Sequence, residues 1–143
     1  MNKDTTPIPQ GKYVPANRWG DLIFSAGMTP RIKGVLQFKG QVTCSSTPAD
    51  HRDAVQIATQ NAFIAVSNLL QENEYIAKAI SLTVYVNAEH GYTQHSSIAD
   101  FASDWLYEQL GDRSAVSRAA IGVASLPGDA PIEVQLTVAA AKN

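Results

Sequence analysis

The stretch Ile80-Ser81-Leu82-Thr83-Val84-Tyr85-Val86 alternates apolar and polar side chains without a break. Successive side chains of a strand point to opposite faces. This period of two therefore sets Ile80, Leu82, Val84 and Val86 on one face and Ser81, Thr83 and Tyr85 on the other. A strand with one apolar face needs a cover, and the flanking sequence supplies two. Upstream, Thr47-Pro48-Ala49-Asp50 combines a hydroxyl N-cap, proline at the first helical position and an acid favoured by the positive end of the helix dipole. Val55, Ala58, Ala62, Val66 and Leu69 follow at spacings of three and four, and Ile57, Phe63 and Leu70 widen the stripe. We expect a long amphipathic helix ending between residues 71 and 73. Downstream, Ser96 or Ser97 can cap a second helix carrying Ile98, Phe101, Ala102, Trp105 and Leu106, with Gly111 as its stop.

Further strands complete the sheet. Residues 21–27, an apolar run bounded by Gly20 and Gly27, suit a buried strand, and residues 34–40 are expected to pair with it after a turn. Two more strands are expected near residues 119–124 and 131–139, joined through Leu126-Pro127-Gly128-Asp129. In the last, Ile132, Val134, Leu136 and Val138 alternate with Glu133, Gln135 and Thr137, so Glu133 faces away from the helix-packed side. Two helices on one face of a mixed β-sheet define an α+β fold. The other face, with Ser81, Thr83, Tyr85, Gln135 and Thr137, is half polar and needs either water or a partner chain.

The 143 residues fit one domain spanning 1–143, long enough to bury roughly two-thirds of the surface the unfolded chain exposes. Residues 1–12, with Pro7, Pro9 and Gly11, read as an N-terminal arm that becomes ordered near Tyr13. An apolar fraction of 45% and a charged fraction of 17% are those of a globular protein. The net charge of -2 and the scatter of the basic residues argue against nucleic acid as a partner, because phosphate neutralisation needs a clustered basic face. No apolar run approaches the roughly 20 residues needed to span a bilayer, and residues 1–7 lack a signal-peptide core, so a cytoplasmic protein with no membrane partner is expected. Cys44 is the one cysteine, so an intrachain disulfide and a thiolate zinc cluster are ruled out; it reads as an incidental residue rather than a nucleophile. His51, His90 and His95 have no metal-ligand spacing, and no metal site is expected.

The chemistry concentrates in the last third. Arg118 and Glu133 place one guanidinium and one carboxylate on strands joined by a tight turn. An arginine at a strand start can grip a small carboxylate bidentately, and a glutamate on the neighbouring strand can orient water or take its proton. Each has a plainer reading: Arg118 as a structural partner for an acid at an interface, Glu133 as a solvated strand residue. Tyr13 reads as a tack for the arm. Phe101 and Trp105 lie on a core stripe and pack; Trp19 is left open.

These residues carry a resemblance. The segments Gly11-Lys12-Tyr13, residues 20–27, Thr83-Val84-Tyr85-Val86, and the spacing of Arg118, Leu126-Pro127 and Ile132-Glu133-Val134 make the chain resemble the RidA/YjgF family. That family is also known as perchloric-acid-soluble endoribonucleases, and the run Ala120 to Pro127 resembles a divergent branch of it. The resemblance implies a chorismate-mutase-like fold and a homotrimer whose sheets enclose a central barrel. It also implies three clefts between subunits that hydrolyse enamine or imine intermediates such as 2-aminoacrylate to the 2-keto acid and ammonia, without a cofactor. Carried over, Arg118 is the carboxylate clamp, Glu133 positions the attacking water, Gly27 makes a backbone contact near the substrate, and Tyr13 is a pocket wall supplied across the interface. The chain departs from the pattern at Ala26, where a hydroxyl residue is usual, at Met28, where glutamine is, and at Ala119-Ala120, where Ser-Cys is common. The helix asparagine of the family has no secure counterpart; Ala99 and Asp100 fall in its region. The alternative reading is a non-catalytic trimer that binds small carboxylates; ribonuclease activity ranks behind both.

Overall fold

The structure, a computed structural model, describes residues 6–143. Strands β1 (Ala16–Trp19), β2 (Leu22–Ser25), β5 (Glu74–Asn87), β6 (Ser117–Val123) and β7 (Ile132–Lys142) form one sheet. A short hairpin of β3 (Arg31–Ile32) and β4 (Val35–Leu36) stands apart from it. The helices are α1 (Arg52–Ser67) and α2 (His95–Leu110). The sheet order is β1-β2-β7-β5-β6, antiparallel throughout except for the parallel pair β5 and β6, which α2 connects as a crossover.

The alternation along β5 and β7 sets the layers. Leu82, Val84 and Val86 pair with Leu136, Val134 and Ile132, and all six are fully buried beneath the helices. Val55, Ala58, Ala62 and Val66 of α1 and Ile98, Ala102 and Leu106 of α2 are equally buried against them. The two helices meet through Phe63 and Trp105, whose rings stand edge to face with centroids 5.3 Å apart. Among the described residues no helix covers the opposite sheet face. This is the α+β arrangement expected, with both helices on one face.

Several local expectations need correction. Residues 34–40 do not pair with β2; they turn back on Arg31–Ile32, and β2 lies between β1 and β7. Strand β1 escaped notice because Ala16-Asn17-Arg18-Trp19 has no apolar alternation; its order comes from pairing across the Gly20 turn, where φ is +59°. Helix α1 stops at Ser67, short of residues 71–73, so Leu69 falls outside it and is exposed. The Glu74 carboxylate accepts the Gln71 backbone N–H at 2.6 Å and closes the turn that follows. Helix α2 begins at His95 with Gln94 at its N-cap position, not Ser96 or Ser97, while Gly111 does end it, at φ +59°. Ile80 leaves the core face because β5 bulges there: Ala79 pairs with Val138 and Ser81 with Thr137, so Ile80 is the extra residue. The expected arm lies partly outside the described residues, and residues 7–12 carry no helix or strand.

Candidate functional site

Glu133 is the second residue of β7 and lies beside Tyr85 on the face without helices. It is half-buried, has no hydrogen-bond or ion-pair partner among the described residues, and burial pushes its carboxyl above the ordinary range. Its position is fixed from the side by residues 27–28. Met28 and Val134 exchange both backbone hydrogen bonds at 2.8 Å, which draws Gly27 against the glutamate. A Cβ on Gly27 would lie 2.6 Å from Glu133 Oε2, so any side chain here must displace the carboxyl. Ser25, two residues earlier, is buried and its Oγ accepts the Leu136 N–H at 2.9 Å, extending the β2–β7 ladder by a side chain.

Gly27 also lines a cavity of about 420 Å³ that Tyr13 borders. The Tyr13 ring is 48% exposed and its hydroxyl accepts the Gln10 N–H at 3.0 Å, so this side chain both tacks down the N-terminal segment and walls the cavity. Tyr13 and Gly27 are thus brought together, and Gly27 touches Glu133.

Arg118 is placed elsewhere. β6 and β7 are consecutive in the chain but not neighbours in the sheet, since β5 separates them. Arg118 aligns with Leu82 on the helix-covered face, and Glu133 with Tyr85 on the open one, so the two side chains leave opposite faces of the sheet. The expectation that a tight turn sets them on adjoining strands is therefore corrected. Within the chain Arg118 pairs with an acid, though one on α2 of the same chain and not at an interface. Nη1 donates to Asp100 Oδ1 at 2.7 Å and Ser103 Oγ at 3.0 Å, and Nη2 to Ser96 Oγ at 2.8 Å, all on α2. From sequence Ser96 was read as a cap and Asp100 as lying in the region of the helix asparagine, and Ser103 was not singled out, although their spacings of four and three mark one stripe of a helix. Ala120, on the same face as Arg118, aligns with Val84, and Ala119 with Thr83 on the open face.

Cys44 is exposed; its backbone N–H donates to the Glu89 carboxylate at 2.7 Å, and that neighbouring carboxylate pushes the thiol upward, away from a reactive thiolate. Among the described residues no group of three or more His, Cys, Asp or Glu is placed to hold a metal, and no helix is long and apolar enough to cross a membrane.

The fold is shared with proteins of known structure. No family model matches the chain. Protein TCP17 of Trypanosoma cruzi is 28% identical to it over 131 residues, which is 91% of this chain and 82% of that protein. Protein Atu1372 of Agrobacterium tumefaciens, of unknown function, superposes with a TM-score of 0.80 at 26% identity, over 92% of this chain and 85% of its own. The YjgF gene product of E. coli gives a TM-score of 0.67 at 18% identity, over 96% of this chain and 94% of its own. E. coli TdcF, solved with bound serine, gives the same score and identity over 97% and 96%. At that identity the likeness concerns the fold, which is of the YjgF/RidA type, a fold that carries more than one function.

Proposed function

We propose that this protein hydrolyses small enamine or imine intermediates bearing a carboxylate, of the 2-aminoacrylate type, to the 2-keto acid and ammonia. The observation that carries the proposal is Glu133: a half-buried carboxyl without a protein partner among the described residues, pushed upward by burial and held against the backbone at Gly27. A carboxyl so placed holds a proton more tightly than a solvated one and can exchange it with a bound substrate or water. Glu133 in its protonated form gives a proton to the enamine carbon, which becomes the iminium. As carboxylate it takes a proton from water while the water oxygen bonds to the iminium carbon, passes that proton to the carbinolamine nitrogen, and takes up the hydroxyl proton as the C–N bond breaks and the keto acid and ammonia form. The imine is electrophilic already, so positioning supplies much of the acceleration.

The carboxylate clamp is Arg118 of an adjoining subunit in a homotrimer. One chain holds Arg118 and Glu133 on opposite faces, whereas β6 is an edge strand and offers Arg118 to a neighbour. Tyr13 and Gly27 complete the substrate pocket, with Tyr13 supplied from the other side of the interface from Arg118. That the similarly folded TdcF was solved with serine supports a site for a small amino carboxylate. A second reading, a trimer that binds carboxylates without turnover, is favoured by the Arg118–Asp100 pair, which occupies the clamp, and by Ala26 and Ala120, which offer no hydroxyl or thiol to water.

The deciding experiment generates 2-aminoacrylate or a longer imino acid in situ and follows its decay with wild type, Arg118→Ala and Glu133→Gln. The hydrolase reading expects acceleration by wild type only; no acceleration of any imino acid sinks it. Binding of 2-ketobutyrate that depends on Arg118, without turnover, establishes the second reading instead.

A further inference from the structure

We infer that the cavity beneath residues 7–13 is an anion site in its own right, built from one chain, in which Arg31 holds the carboxylate of a ligand with a short apolar body. The cavity, about 420 Å³, lies within the size range of small-molecule sites. Its charge is one-sided. Among the described residues Arg31 and Lys33 line it and no Asp or Glu does, in a chain whose net charge is -2. Ile8, Met28, Ile57 and Ile64 supply apolar wall.

Arg31, like Arg113, which rests on the Ile76 carbonyl and the Tyr75 ring, is anchored without a carboxylate, but Arg31 alone of the two lines the cavity. Arg18 and Arg118 each have a carboxylate within ion-pair distance; Arg31 has none among the described residues. Its Nε donates to Thr29 Oγ1 at 3.2 Å and its Nη1 to the Gly34 carbonyl at 2.9 Å, both neutral acceptors. The remaining N–H groups of the guanidinium fork have no acceptor among the described residues. A partly buried cation without a counter-charge attracts an anion from solution.

The guanidinium is also pre-positioned. Asn61 of α1 donates from Nδ2 to the carbonyls of Thr29 and Arg31 at 3.2 and 2.9 Å, tying the hairpin to the helix. Gly128, at φ +66°, leaves room for Nη2, which lies 3.1 Å from where a Cβ would stand. A charge held in place before binding loses little freedom when the ligand arrives. The cavity shares Tyr13 and Gly27 with the proposed reaction site, but its anion partner is Arg31 and not Arg118, so the inference holds whether or not the protein hydrolyses imines.

The test is a titration of the full-length chain with hexanoate, and with hexanol as the uncharged control, read from backbone amide NMR shifts. Hexanoate is expected to move the amides of residues 29–34 and Asn61. Arg31→Met, which keeps the apolar stem, should weaken hexanoate about tenfold or more, the loss of a charge-assisted contact, and leave hexanol unchanged. Arg31→Lys should restore most of the affinity, and Arg118→Ala should leave it intact. If Arg31→Met does not fold, Ile57→Trp, which fills the cavity while retaining Arg31, should abolish the shifts. The inference is overturned by hexanoate binding that is absent in wild type, indifferent to Arg31→Met, retained in Ile57→Trp, or lost with Arg118→Ala.

Discussion

Glu133 is a side chain whose burial works against stability. Its carboxyl, raised by desolvation from the ordinary 4.5, binds a proton more tightly in the folded chain than in the unfolded one. The charged form therefore costs stability above the folded pKa, and the cost disappears as pH falls below the ordinary value. Glu133→Gln should accordingly unfold at a higher temperature than wild type at pH 7, with the gap closing toward pH 4, while turnover falls by roughly 10² to 10⁴. Thermal melts across that range, set beside the imine assay, check both halves. Gly27 gives a second expectation. Its φ is not in the left-handed region, so alanine suits the backbone, but the new Cβ must push the Glu133 carboxyl aside. Gly27→Ala should fold normally and lose about a hundredfold in turnover, the scale of an ångström of misplacement; a fully active variant would show that the close approach has no part in the chemistry.

At the scale of elements, one corner depends on a single fork. Arg18 of β1 reaches Glu74 at the start of β5 through Nη1 and Nη2, at 2.7 and 2.8 Å, and Nη1 also reaches the Leu69 carbonyl beyond α1. Hydrogen bonding from Arg18, then from the Gln71 backbone, lowers the Glu74 carboxyl from 4.5 to about 2. Folded, it holds its proton less tightly than unfolded. Its contribution is thus complete above pH 4.5 and is lost as pH falls through 2. Wild type should be more stable than Glu74→Gln at pH 6, and acid titrations followed by circular dichroism should show the two converging near pH 2. None of this corner was legible beforehand, because Arg18 and Glu74 are 56 residues apart and neither belongs to a periodic run. What could be read was periodic: Leu82, Val84 and Val86, the stripe of α1, and Ile132 to Val138. Ile80 misled because a bulge changes parity without changing the pattern of residue types. The site divided in the same way. Glu133's face followed from alternation, whereas Arg118's separation from it depended on β5 lying between their strands, which local sequence does not encode.

The whole molecule presents a sheet with one dry face and one uncovered face. On the uncovered side Trp19, Leu22, Phe24 and Ile121 are all exposed, beside the half-buried Glu133 and Tyr85. Apolar exposure on this scale marks an interaction surface, and self-association is its ordinary use. Sedimentation equilibrium should give three times the 15.4 kDa chain mass. Phe24→Lys or Ile121→Lys should yield folded monomers that have lost turnover, since the proposed clefts need two chains; an active monomer would place the whole reaction in one. In the core, where no partner is involved, Leu82→Ala should cost about 2–5 kcal/mol by denaturant melts.

The position of β7 governs how the chain can be made. It follows every other described strand in the chain, yet it sits in the middle of the sheet, hydrogen-bonded to β2 on one side and β5 on the other. Until it emerges, the β1–β2 hairpin and the β5–α2–β6 unit are halves with no edge to share, each with a bare strand open to the wrong partner. Newly synthesised chains must therefore wait for β7, and loss of residues within 132–142 leaves both halves without the strand that joins them. Crowded polysomes, where such halves lie side by side, are where this protein runs its greatest risk of pairing with a sister chain before it has paired with itself.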